Sequence, residues 1–291
     1  MLKENLEQVI AMGTSTPYSE NIYAARKEYQ KLSGEIYEDD KSYESRMAMF
    51  LEWYVFDRVD PGKDLTILES IINENRETWP QFPLEIYEGF TTNVHGLFYI
   101  KKIRNESVSV VNLFDNEKYD VVEPDAKLHF NKNDLFEGRL VPYQNSYHFT
   151  GNFCFHPGKA EKFIRKQIDQ LCINQIAYKK ELIIKNSQLA DDNKMLHKIN
   201  VKIEKLKRKL LKSTSESKTS KLKMEIAEVE TKRTDLETKV SHLKNEIKLF
   251  THEKIVREGK VTYNLLLQKL SYMHLIWERS RQIDLEDIYR T

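Results

Sequence analysis

The sequence predicts an α+β protein: a small helical layer, a five-stranded β-barrel of SH3-like or OB-like kind, and then a long antiparallel α-helical coiled-coil hairpin. Three observations point to it. All seven prolines and eight of the nine glycines lie at or before Gly158, so turn-forming residues are confined to the first half. Within that half, apolar spacing changes near residue 80 from helical to short β-branched and aromatic runs. Beyond it, apolar residues recur at heptad spacing with Lys and Glu between them. The expected boundaries are a helical segment over 1–85, a barrel over 86–158, a hairpin over 159–282 with its tip near 213–220, and a tail over 283–291.

In the helical segment, Ile22, Ala25, Tyr29 and Leu32 recur at intervals of three and four residues, and Gly34 follows as a C-terminal stop. A second helix is expected from about Asp40 to Asp57, with Tyr43, Met47, Phe50, Leu51 and Tyr54 on its buried stripe. Pro61 and Gly62 make a turn, and LTILESII supplies a third helix before Trp79, Pro80 and Pro83 interrupt the pattern. Phe50, Trp53, Tyr54 and Phe56 read as core aromatics. The acidic run Glu38, Asp39 and Asp40 reads as favouring the positive N-terminal end of the helix behind it.

From about Gly89 to Phe155, the runs GLFYIKKI, VSVVNLF, KYDVVE, DLFEGRLVPY and YHFTGNF are separated by turn-like RNES, FDNE, NKND and PYQNS. Five short strands at this spacing suit a small barrel, whose closure hides its strand edges. FLEWYVFDR, LTILESII, GLFYIKKI with VVNLFDNEKYDVV, and NDLFEGRLVPYQNSYHFTGNFCFHP together resemble a little-characterised bacterial domain over about residues 45–157. That domain is sometimes joined to a SEC-C zinc-binding tail. The cysteine-rich SEC-C signature is absent here, so the resemblance implies no metal, and Asn133-Asp134 stands where the domain usually has Gly-Asp. It implies a fold and transfers no activity.

Between residues 160 and 210, one heptad frame places Ile168, Gln175, Leu182, Leu189, Leu196, Ile203 and Leu210 at position a. Position d then holds Leu171, Tyr178, Lys185, Asp192, Ile199 and Leu206. A second frame puts Leu222, Val229, Leu236, Leu243 and Phe250 at d, with Ile226, Arg233, Val240, Ile247 and Lys254 at a. The frames are offset by two residues, which is neither the insertion of three nor of four that a coiled coil absorbs. Six of the eight residues from Ser213 to Ser220 are Ser or Thr, which compete for backbone hydrogen bonds in a helix interior. The chain is therefore expected to fold back there, although the same seam would also suit a continuous parallel dimer with a break. A further helical phase, Tyr263, Leu266, Leu270, Met273 and Trp277, returns the chain to the base.

The chain has 291 residues, of which 40% are hydrophobic and 31% charged, against about 25% charged in an average globular chain. A net charge of +1 conceals −10 over residues 1–158 and +11 over 159–291. Such asymmetry points to an anionic partner or to contact between the halves. No run of apolar residues is long enough to span a bilayer, no export signal is visible in the first 19 residues, and two cysteines make no disulfide framework, so a cytoplasmic protein is expected.

The sharpest electrostatic feature is the expected tip. Lys202, Lys205, Lys207, Arg208, Lys209, Lys212, Lys218, Lys221 and Lys223 face only Glu204 and Glu216 within residues 201–223. Phosphate backbone, anionic headgroups or an acidic protein would suit it, and with no aromatic in this stretch a nucleic acid would be held by its backbone rather than by stacking. On the barrel, Phe98, Tyr99, Lys101, Lys102 and Arg104 mix aromatic and basic types as a nucleic-acid face would, within an acidic half. His148, Cys154 and His156 share strand parity, a weak metal pattern that reads as ordinary strand residues, and no metal or cofactor is expected. Phosphate loops, dinucleotide cradles, nucleophile elbows and zincin helices lack their motifs, so no catalytic residue is named. The sequence thus suggests a non-enzymatic adaptor that binds proteins through a base and a coiled-coil arm, with a second copy of the chain as a further partner for the arm. Its alternative is an RNA- or ribosome-associated protein whose basic tip contacts phosphate.

Overall fold

The computed structural model describes residues 2–60, 62–124, 126–280 and 282–290. Contacts divide the chain into a unit of residues 1–172 with 261–291 and a unit of residues 173–260. In the first unit, a helical layer comprises α1 (Leu2–Gly13), α2 (Ile22–Ser33), α3 (Tyr43–Phe56), α4 (Ile67–Asn75) and α5 (Gln81–Phe90), with a two-residue ribbon of β1 (Val59–Asp60) and β2 (Leu65–Thr66) before α4. Ala25 and Tyr29 of α2 are buried as the spacing predicts, whereas Leu32 is 40% exposed because the buried stripe continues at a four-residue interval to Ser33, which is fully buried. Gly34 stops it at φ +79°, where a Cβ would meet Tyr272 at 2.5 Å, so glycine alone fits both the backbone and the contact. Helix α4 starts in a reciprocal capping box between Thr66 and Glu69.

Of the expected Pro61-Gly62 turn, Pro61 lies outside the described residues, while Gly62 N donates to Asp60 Oδ1 at 2.8 Å. Pro80 and Pro83 do more than interrupt: Pro80 is the N-cap of α5 and Pro83 sits in its first turn, where a missing N–H costs no helical bond. Helix α1 is not among the expected elements, yet Leu6, Val9 and Ile10 join the core that Phe50, Trp53, Tyr54 and Phe56 build. Tyr29 packs on Phe50 and Trp53 at ring separations of 5.5 and 5.2 Å, so α3 is fixed by aromatic contact.

The barrel is formed by β3 (Val94–Ile103), β4 (Ser107–Asn112), β5 (Lys118–Val122), β6 (Leu135–Tyr143) and β7 (Ser146–Phe149), with a short helix α6 (Ala126–His129) between β5 and β6. The order β3-β4-β5-β7-β6 closes by pairing β6 with β3. Its closure is mixed, since β5 and β7 run parallel at Val121↔Tyr147 while the other pairs are antiparallel. A sixth strand, β8 (Cys154–His156), adds to β6 outside this ring. Phe98, Ile100, Val110, Phe136, Leu140 and Phe149 alternate inward to fill it. The opposite parity is buried as well, because Leu97 and Leu135 pack outward against helices α7 (Glu161–Leu211) and α9 (Glu258–Arg279).

That outer face carries the most heavily buried charge in the unit. His95 and Arg139 face one another across β3 and β6, and Glu137 lies two residues from Arg139. Arg139, 1% exposed, donates through Nε to Glu52 Oε2 at 3.3 Å and through Nη2 to Asp57, both at α3. His95 Nε2 lies 3.0 Å from Glu137 Oε1, and Nδ1 lies 3.3 Å from Asp57 Oδ2 and 3.1 Å from Asn264 Oδ1 of α9. One polar layer therefore joins barrel, helical layer and returning helix. Burial pushes the Arg139 pKa down, but Asp57 and Glu52 outweigh it and hold the guanidinium charged.

The second unit is an antiparallel helical pair, the remainder of α7 against α8 (Glu216–Phe250), followed by a π-helical stretch over Thr251–Arg257. Every a and d residue of the two heptad frames is buried or half-buried. Three of the polar seam residues pair across it: Lys185 Nζ with Glu246 Oε1 at 2.5 Å, Asp192 with Lys239 at 3.1 Å, and Gln175 Nε2 with Lys254 O at 3.3 Å, whereas Arg233 pairs with Glu237 along its own helix. These partners are close within one chain, so fold-back supplies partners for Gln175, Lys185 and Asp192.

Replacing Arg139 with Met should cost about 3–5 kcal/mol in urea denaturation, because Glu52 and Asp57 would be left buried without their cation. The outcome is checked by comparing midpoints at constant slope.

Candidate functional site

The helical turn is the most strongly charged surface of the second unit. Ile203 and Leu206 of α7 bury against Ile226 and Val229 of α8, which fixes how the two ends meet. Beyond them α7 tightens as Lys212 N and Ser213 N donate to the carbonyls of Lys209 and Leu210, and Ser215 caps α8 without a side-chain hydrogen bond. All nine predicted basic residues, Lys202, Lys205, Lys207, Arg208, Lys209, Lys212, Lys218, Lys221 and Lys223, are exposed. Lys202 pairs with Glu225 at 3.5 Å and Lys207 with Glu230 at 3.0 Å. The other seven have no ion-pair partner among the described residues. Beside them Leu211 is 87% exposed. An array of unpaired cations, nearly all of them lysine, can hold several anionic oxygens at once as point charges, without the bidentate geometry of arginine.

A second exposed feature lies on α7 away from the seam. Ile173, Ile176, Ile183 and Ile184 are 63%, 50%, 68% and 67% exposed. At 100° per residue they fall within an arc of about 100°, roughly opposite the Gln175 and Leu182 side that faces α8. The heptad register puts these residues at outer positions where polar types are usual. The stripe is therefore legible in the sequence, but only from the outer positions of the heptad and not from a and d.

The barrel residues do not form one face. Phe98 is fully buried inside the ring, while Tyr99 points outward, its hydroxyl donating to Asn133 Oδ1 at 2.9 Å and its ring covered by Lys101 and Arg165. Lys101 and Lys102 are exposed, and Arg104 is paired with Asp120 at 3.1 Å. Strand alternation separates the aromatic residues, and a local acid neutralises one of the bases.

His148, Cys154 and His156 are likewise dispersed. His148 stacks edge-on with Tyr143, and burial lowers its pKa. Cys154 is buried and its thiol is pushed up to about 12 by that burial, which leaves it a poor nucleophile. His156 Nδ1 lies 3.3 Å from the Tyr289 hydroxyl, and its Nε2 has no partner. Its ring is 6.2 Å from that of His274 on α9, and His274 Nδ1 lies 3.4 Å from Arg46, whose guanidinium also reaches Ser271 O at 2.7 Å. Among the described residues no three His, Cys, Asp or Glu side chains are grouped to hold a metal ion. No described helix is long and apolar enough to cross a membrane.

The layer of Glu52, Asp57, His95, Glu137 and Arg139 escaped sequence reasoning, since its members come from three separate elements. Its one local trace is the charged pair inside LFEGRLV, an otherwise apolar strand.

A family model described as a family of unknown function (DUF7986) matches residues 14–181, more than half of the chain. The chain belongs to this family. The match takes in α2 to α5, the whole barrel and the first part of α7, and it agrees with the expectation of an uncharacterised domain. No curated protein and no solved structure matches the chain significantly.

The buried histidines set a pH dependence. Burial pushes His156 down to about 3, with His274 and Arg46 adding to it, and burial with Arg46 pushes His274 down to about 4. A histidine kept neutral in the fold takes up a proton on unfolding below its ordinary pKa of about 6.5, so stability should fall as pH drops from there towards these values. His95 has the opposite sign. Burial and Arg139 lower its pKa, but hydrogen bonds to Asp57 and Glu137 outweigh them, and its contribution is lost as pH rises through the raised value. Urea titrations from pH 7 to pH 5 should show His156→Gln losing about 2 kcal/mol less than the parent over that interval, and titrations continued upward from pH 7 should show His95→Gln abolishing the loss on the alkaline side.

Proposed function

We propose that the protein is a non-enzymatic adaptor, in which a globular base and a helical arm bind protein partners. The single observation that carries this reading is the isoleucine stripe at 173, 176, 183 and 184, each residue half or more exposed on the side of α7 that α8 leaves open. Exposed apolar residues along one helix face, here with exposed Lys180 between the two isoleucine pairs, mark interaction surfaces more often than chance exposure, and such a face suits a partner helix or a groove. A second copy of the chain is one partner of that description. The arm takes the place that a SEC-C tail has in some proteins of the resembled kind, and the expected location is the cytoplasm.

Affinity purification of the intact chain from its native source, beside Ile176→Glu with Ile183→Glu, should lose a stoichiometric protein partner in the double variant, with light scattering reading any self-association. Retention of the partner by that variant would overturn the reading. So would turnover of a substrate by the pure protein that point changes in the base abolish.

A second reading, contact of the turn with the phosphate backbone of RNA, is favoured by the seven unpaired cations. Binding of a single-stranded RNA should weaken steeply with salt. Changing Lys205, Lys207, Arg208 and Lys209 to Gln should make the slope of log K against log salt shallower by about 3, since each neutralised phosphate of a single strand contributes roughly 0.7. Salt-insensitive binding, or none, would dismiss it.

A further inference from the structure

The isoleucine stripe of α7 is interrupted by one charge. Lys180 lies between the pair Ile173 and Ile176 and the pair Ile183 and Ile184, is exposed, and has no ion-pair partner among the described residues. At 100° per residue it falls inside the arc that the isoleucines span. Eleven residues further on, about three turns and about 20° round the helix, exposed Asp191 occupies the same face. Asp191 pairs with Lys194 at 3.2 Å, but the two side chains are 72% and 74% exposed, so water screens that pair and the carboxylate can accept a second cation. Met195, 57% exposed, lies beside them.

These charges decide which arrangement of a second copy the face accepts. A copy laid parallel and in register would set Lys180 against Lys180. An antiparallel copy whose two-fold axis passes the middle of the stripe would do the same. Sliding the antiparallel copy by eleven residues keeps the same face inward, because eleven residues complete about three turns. The axis then passes at the level of residues 185–186. Lys180 of each copy meets Asp191 of the other, Ile176 meets Met195, and the two copies of Ile184 come within about 5 Å of each other along the helices. Contact extends from residue 173 to residue 198, about 38 Å of helix.

We propose that α7 pairs antiparallel with α7 of a second copy of this chain, through Ile176, Ile183, Ile184 and Met195, with Lys180 of each copy on Asp191 of the other. The assignment rests on the adaptor reading of the stripe and names its partner and register. Two-fold symmetry makes every apolar contact and every ion pair occur twice. The isoleucines supply the buried apolar surface, and the charges fix direction and register.

Sedimentation equilibrium of the full chain tests it. The parent should be a dimer at micromolar concentration. Lys180→Glu opposes two acids and Asp191→Lys opposes two bases, so each should raise the dissociation constant by at least about tenfold. Combining the two exchanges should restore the parent's value. Both positions are exposed, so the fold should survive, and circular dichroism checks that it does. Oxidative cross-linking reads the register: Ser187→Cys should join across copies, its two positions being about 5 Å apart along the helices, whereas Lys198→Cys, about 38 Å apart, should not. A monomeric parent, single variants that dimerise as the parent does, or a combined variant that stays monomeric would overturn the proposal. Joining at Lys198→Cys rather than at Ser187→Cys would overturn it too. A monomeric chain that loses a protein partner through Ile176→Glu with Ile183→Glu would overturn the dimer alone and leave the adaptor reading standing.

Discussion

The buried guanidinium of Arg139 is the constraint on which the base depends. Its strand, β6, pairs with β3 on one edge and with β7 and β8 on the other, so it sits at the junction of the barrel. Covering such a strand on both faces makes a buried charge left alone on it expensive. Glu52 and Asp57 of α3 provide partners for Arg139, and Asn264 of α9 reaches His95 beside it. The position of α3 and the return of the C-terminal helix are thus set by the same layer.

Arg46 repeats the arrangement from the opposite side. It is 4% exposed, lies on α3, and donates to Ser271 on α9 and to Ser42 at the start of its own helix. Two arginines on neighbouring elements therefore anchor the base through short polar bridges, while aromatic packing around Phe50 and Trp53 supplies the apolar contact between them. This division of labour is common where helices cover a barrel: burial drives association, and hydrogen-bonded charge selects one arrangement over near-equivalents. Glu137 Oε2, Tyr143 Oη, Thr150 Oγ1 and His156 Nε2 are the buried side-chain atoms of the described base left without a hydrogen-bond partner.

In the helical pair the polar seam residues have a comparable role. Lys185, Asp192 and Gln175 interrupt an otherwise apolar register, and each meets a partner on the returning helix. A parallel pairing of two copies would bring like residues together at those positions and oppose Lys185 to Lys185. Fold-back is favoured electrostatically as well as by the Ser/Thr-rich turn.

The helices around Ala25, Phe50 and Leu68, the five strands of the barrel, and the seam with its turn were all legible in the sequence, because each is specified by local periodicity and by where Pro, Gly and Ser interrupt it. The basic turn was legible for the same reason, as its charges are contiguous in the chain. Only the tertiary structure decided the parallel closure of β5 on β7, the burial of Phe98 away from Tyr99, and the meeting of Glu52, Asp57, His95 and Arg139. Those features join residues tens to hundreds of positions apart, and periodicity specifies which face of an element is apolar but not which element will cover it.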